Sequence, residues 1–123
     1  MDRWMGDVLQ MAAIGVVVAG VFSFIIGPYR IGGDSMEPNY SSGDVVMVDK
    51  ISYRWKSPQA GDAVIIKTPY GVMLKRIIRG TGEGGYWVEG DNKEKSTDSR
   101  DYGAVPGSNV IGKAGIKIWG WWR

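Results

Sequence analysis

Ser35, in the stretch GGDSMEPNYSSGD, and Lys75, in MLKRII, are two residues whose types could do nucleophilic chemistry together. A serine hydroxyl is hardly ionised near neutral pH and needs an adjacent base. The usual partner is missing, because the chain has no histidine; nor has it any cysteine. Those absences exclude a Ser-His-Asp triad, a thiol nucleophile, disulfides and histidine- or thiolate-bound metals. A lysine can serve as the base if its amine is neutral, which requires burial. Moving its pKa from ~10.4 to near 7 costs about 1.36 kcal/mol per unit, and burial can supply 3–5 units.

Lys75 suits that task better than the other cations, because it sits within an apolar run. In a strand it would share a face with Met73 and Ile77, while Leu74, Arg76 and Ile78 would take the other. One cation must therefore enter an apolar face, and periodicity alone does not choose between Lys75 and Arg76. A buried guanidinium stays charged, whereas a buried amine can go neutral. The competing reading is an exposed edge-strand lysine that guards against sheet pairing. The segment GDNKEKSTDSRDYG, residues 90–103, is too polar for a strand and too long for a hairpin turn. By composition it is either a solvated loop or an organised functional one.

The elements that must position these residues are an apolar helix and a set of short strands. Val8 to Ile26 carries no charge over nineteen residues. As a helix it spans roughly 28 Å, against a hydrocarbon core of ~30 Å. Pro28 is expected to end it, and Trp4 and Tyr29 fall at its two ends, where amphipathic rings favour the interface. A cleaved signal peptide is disfavoured by the length of the run and by a tail with only Arg3 against Asp2 and Asp7. The tail charges nearly cancel, so the positive-inside rule gives no orientation. Candidate strands follow at Val45–Val48, Ala63–Lys67, Val72–Ile78, Tyr86–Glu89, Val110–Lys113 and Ile116–Trp119. Turn signals separate them, and nineteen glycines are consistent with many turns. The expected fold is mostly β: a small antiparallel barrel or coiled sheet (residues 29–123) behind one transmembrane helix and tail (residues 1–28). GDVVMV and GDAVII echo each other, which reads as two strands that each start after a Gly-Asp turn. A net charge of +2 without a basic patch argues against nucleic acid as a partner.

Together these features resemble the type I signal peptidases, membrane-anchored proteases with a Ser-Lys dyad. The resemblance covers nearly the whole chain: the anchor, GDSMEPNYSSGDVVMV, MLKRII and the loop GDNKEKSTDSRDYG. Short S-M-x-P elements like that of the serine box also occur in the LexA-like autoproteases, another Ser-Lys group. The loop is the specific part, through its Gly-Asp-Asn, Ser-x-Asp-Ser-Arg and following Gly. The resemblance implies Ser35 as nucleophile, Lys75 as general base and Ser96 as the hydroxyl that orients the amine. Asp98 and Arg100 would form a charged pair bracing the loop, and Met36 and Pro38 would shape the turn after the nucleophile. Asp91 and Asn92 resemble loop-stabilising residues. Backbone N–H groups near Ser35 would hold the oxyanion. No cofactor or metal is implied. The implied setting is a single-pass membrane protein with its catalytic domain on the extracytoplasmic side.

Departures from the family pattern also carry information. Some members place a serine two residues before the nucleophile as an oxyanion donor; here that position is Gly33. The lysine box runs on as RGTGEGG rather than towards Gly-Asp. Only twenty residues separate Lys75 from Ser96, which leaves no room for the second domain of larger members. The leading expectation is removal of signal peptides from exported preproteins. The alternatives are a dedicated maturation peptidase acting on one or a few preprotein or membrane-protein substrates, and a catalytically silent membrane-anchored binding domain. A strand-like substrate would add to a sheet edge beside Ser35, with Ile31, Gly33, Asp34, Met73 and Leu74 as the expected walls. The resemblance implies small residues at the first and third positions before the cut. The C-terminal IKIWGWWR could pack in the core or, through Trp119, Trp121, Trp122 and Arg123, meet the lipid bilayer.

Overall fold

A computed structural model describes residues 2–122 of the chain; Arg123 lies outside the described residues. Helix α1 (Arg3–Ile25) contains no buried residue and is apolar all round, with one 18-residue window of mean hydropathy 2.3. It is long and apolar enough to cross a membrane. The helix stops one residue earlier than the apolar run, and not at Pro28. The chain passes straight from Ile25 into strand β1 (Ile26–Arg30), which contains Pro28. Sequence reasoning missed this strand because proline argues against a central one. β1 is an edge strand, where a missing N–H leaves no ladder bond unmade. Lys50 closes the junction: its backbone N–H donates to Ile25 C=O and its amine to Ser23 C=O, two carbonyls of the last helical turn.

The body is a seven-stranded sheet with antiparallel pairing throughout. Its strands are β1, β2 (Val45–Asp49), β3 (Ala63–Thr68), β4 (Gly71–Gly80), β5 (Gly85–Glu89), β6 (Val105–Pro106) and β7 (Val110–Trp119). Their order is β1-β2-β7-β3-β4-β5-β6. The two C-terminal strands expected from the sequence are one. Gly115 does not break β7, and the irregularity appears instead as register shifts against β2 and β3. A four-residue helix α2 (Ser99–Tyr102) and the two-residue β6 also went unread, being too short to show a period.

Alternation in β3 explains how so small a sheet buries enough. Ala63 and Ile65 join one core with Ile31, Met36, Val46, Val48, Leu74 and Ala114. Val64 and Ile66 join a second with Ile77, Val88 and Val105. A central strand covered on both faces reads as the unbroken run AVII. The Gly-Asp echo is structural. Gly43 and Gly61 both take positive φ, which favours glycine. Asp44 and Asp62 each accept a hydrogen bond from the backbone N–H three residues earlier, closing the turn that starts β2 and β3. Each also pairs with a lysine of the strand between them, Asp44 with Lys117 and Asp62 with Lys113.

Candidate active site

The Ser35 turn and the start of β4 face each other across a cleft of about 360 Å³. Ser35 and Lys75 both line it, as do Ile31, Gly33, Asp34, Met73 and Leu74. Tyr29, Val72, Lys95 and Thr97 line it too and were not anticipated. Tyr29 comes from the unread β1, and its hydroxyl donates to Val72 C=O. Lys95 and Thr97 flank Ser96, so their place follows once the loop is known to close the cleft.

The strand face left open by periodicity is settled by burial. Lys75 is only 2% exposed and shares its face with Ile77, whereas the Arg76 side chain is 28% exposed. Arg76 makes a two-pronged bond to Asp91 and donates to Gly61 C=O. The cation with a carboxylate partner stays near the surface, and the one without is inside.

The Lys75 amine donates to Ser96 Oγ at 3.0 Å, and Ser96 Oγ donates to Asp98 Oδ2 at 2.7 Å. Because the serine proton is committed to Asp98, Ser96 can only accept from Lys75. A neutral Lys75 amine held this way keeps its lone pair free for another proton. Ser35 and Lys75 make no hydrogen bond to each other in this structure; such bonds often tighten only around substrate. Burial lowers the pKa of Lys75 below that of ordinary lysine. The nearby Asp98 carboxylate opposes the shift, and Arg100 adds to it.

Asp98 organises the loop. It is fully buried and accepts bonds from Gly90 N–H, Ser96 Oγ, and the backbone and guanidinium of Arg100. Burial alone would raise its pKa, but the bonds from Arg100, Ser96 and Gly90 outweigh it and hold the carboxyl well below the usual range. Asp98 also caps α2, reciprocated by Asp101 in a capping box.

The start of the loop straps the turn that carries Ser35. Asn92 N–H donates to Ser35 C=O, Asn92 Nδ2 to Asp34 C=O, and Asp91 N–H to Met36 Sδ. Met36 is buried in the first core and Tyr40 N–H donates back to its carbonyl, while the following Glu37–Pro38 peptide is cis. Asn39 donates to Asp91, and Lys117 to Asn39 C=O. Gly90 lies where a Cβ would sit 2.3 Å from Ser96 Oγ and 2.5 Å from Ser35 C=O, so only glycine lets the loop come this close. The motif Gly-Asp-Asn is thus a close approach followed by two ties. Gly33 has φ +77°, a conformation in which a side chain is strained, so a serine hydroxyl is not easily accommodated there.

This architecture has named relatives. The family model described as signal peptidase, peptidase S26, matches residues 4–83 and 79–119. The chain belongs to that family. It is 32% identical over 127 residues to mitochondrial inner membrane protease subunit 1 of Homo sapiens, covering 85% of this chain and 76% of that one. It is 40% identical over 81 residues to a probable signal peptidase I of Mycobacterium leprae, covering 60% and 28%. A third S26 relative, thylakoidal processing peptidase 1 of Arabidopsis thaliana, is 28% identical over 163 residues, covering 89% and 47%. Peptidase chemistry is therefore the frame in which the cleft is read.

Proposed function

We propose that this S26 peptidase is a membrane-anchored serine endopeptidase that removes signal peptides from exported preproteins, with Ser35 as nucleophile and Lys75 as general base. The observation that carries the reading is the buried Lys75 amine, held by a Ser96 hydroxyl whose proton is given to Asp98. Lys75 takes the Ser35 hydroxyl proton as Oγ attacks the scissile carbonyl. The protonated amine then gives that proton to the leaving amine, and an acyl-enzyme on Ser35 remains. Water, deprotonated by the same Lys75, releases the acyl group. Backbone N–H groups beside Ser35 stabilise the oxyanion.

The anchor and the tryptophan cluster support a position on the bilayer. α1 runs into the sheet without a linker, and Ile116, Ile118, Trp119, Trp121 and Trp122 are exposed. Trp122 packs edge-on against both Trp119 and Trp121. Amphipathic rings of this kind favour the membrane interface, and they would hold the cleft where a substrate's cleavage site leaves the lipid. The catalytic domain is assigned to the extracytoplasmic side on family resemblance.

A second reading, a dedicated maturation peptidase, is favoured by the small size of the unit: a tight turn joins β4 to β5 where a larger enzyme would carry more substrate surface. Cleavage-site mapping on a panel of preproteins in lipid vesicles separates the two. Signal peptide removal predicts cuts after a small residue with another small residue two positions earlier, and weaker cutting when a long polar spacer follows the apolar segment. Pockets of this kind discriminate by only ~1–3 kcal/mol per methylene, so larger residues are cut slowly. A basic or aromatic preference before the cut would remove the signal-peptidase reading and leave the maturase.

A further inference from the structure

Asn92 makes two bonds to the backbone of the nucleophile turn. Its Nδ2 donates to Asp34 C=O at 3.2 Å, and its backbone N–H donates to Ser35 C=O at 2.9 Å. The peptide unit is planar, and in the trans form its C=O and N–H point in opposite directions. Fixing Asp34 C=O towards Asn92 therefore fixes Ser35 N–H away from it. Asp34 and Ser35 line the cleft, whereas Asn92 stands outside it. Ser35 N–H has no acceptor among the described residues. Glu37 N–H also donates to Asp34 C=O at 3.2 Å, so the same plane is held from two sides.

We infer that Asn92 is a positioning residue for transition-state stabilisation: by pinning the Asp34–Ser35 peptide it aims Ser35 N–H at the developing oxyanion. The inference rests on Ser35 being the nucleophile. It matters more here because Gly33, at φ +77°, offers no side-chain hydroxyl to share the load. Asn92 acts through the peptide and touches no reacting atom.

The test uses the full chain in lipid vesicles and compares wild type with Asn92→Asp, which keeps the shape but loses the donor, and Asn92→Ala. Four quantities are read: kcat, KM, the pH midpoint of kcat/KM, and affinity for a peptide boronic acid. The boron of that probe bonds to Ser35 Oγ, Lys75 takes the displaced proton, and the adduct is a tetrahedral boronate anion with one of its oxygens in the oxyanion position. Removing a whole oxyanion donor costs about 10²–10³ in kcat, so misaiming one is expected to cost about 10- to 100-fold. KM should stay within about 2-fold, because the loss falls on the transition state. Boronate affinity should fall in step with kcat, and the pH midpoint should not move, since Lys75 is untouched.

Unchanged kcat overturns the inference, as does a loss of kcat with undiminished boronate affinity in the folded fraction. If Asn92→Asp does not fold, Asn92→Ala decides; failure of both to fold would assign a purely structural role and also overturn it. Ser35→Ala run alongside separates the two levels. Activity in that variant would overturn the peptidase mechanism itself. An inactive Ser35→Ala beside unimpaired Asn92 variants would overturn the positioning role alone.

Discussion

Ser35→Ala and Lys75→Ala are each expected to abolish turnover, by about 10⁴-fold or more, while the domain stays folded. Ser35 is half-buried on a turn that Asn92 ties through its backbone, and its hydroxyl makes no hydrogen bond among the described residues, so losing it breaks none. Lys75 is buried without a carboxylate bonded to it, so its truncation strands only Ser96 Oγ as an acceptor, and that hydroxyl still donates to Asp98. Nucleophile and base act as one unit, and the double variant should be scarcely slower than either single one. Steady-state cleavage of a preprotein, with circular dichroism as the folding control, checks this. Wild-type-like cleavage by either single variant would remove the dyad.

The second large effect is on Asp98. In Asp98→Ala the buried Gly90 N–H loses its acceptor, at a cost of about 1–3 kcal/mol, and α2 loses its N-cap, at about 1 kcal/mol more. Arg100 and Ser96 lose their partner as well. The loop that closes the cleft should therefore loosen, with a lower Tm and heavy loss of activity. Because so many donors converge on the carboxylate, Arg100→Met should be milder in stability, and adding it to Asp98→Ala should restore little. A double variant more stable than Asp98→Ala alone would mean that the ion pair outweighs the backbone bonds. The sign with pH follows from the depressed pKa. Asp98 contributes fully above its unfolded pKa of ~3.9 and loses that contribution as pH falls towards its folded value.

That Ser35 and Lys75 meet in one cleft was legible in the sequence, where residue type alone restricts the options. With no histidine, a serine base had to come from elsewhere, and a lysine within an apolar run was the consistent choice; both residues line one cleft. The central strands were legible because covered faces leave unbroken apolar runs, as in AVII. β1 was not, because edge position rather than composition is what permits Pro28. Periodicity did not choose between Lys75 and Arg76, since a period of two places one cation on each face; side-chain chemistry favoured Lys75 inside, and the partner that keeps Arg76 near the surface, Asp91, lies fifteen residues beyond it. Gly90 and Asn92 lie within a recognisable motif, yet their work is done on residues 34 and 35, contacts that no local pattern encodes.

The most direct measurement is the pH dependence of kcat/KM for wild type and Arg100→Met. A buried amine with a lowered pKa is neutral, and able to act as a base, above that value, so activity should rise with pH and reach its midpoint below the ~10.4 of free lysine. Arg100 lies close enough to depress Lys75 further and shields it from the Asp98 charge. Its removal should move the midpoint to higher pH and lower the rate at neutral pH. A wild-type profile that is flat from about pH 6 to 10, or a midpoint at the free-lysine value, would contradict a lysine base.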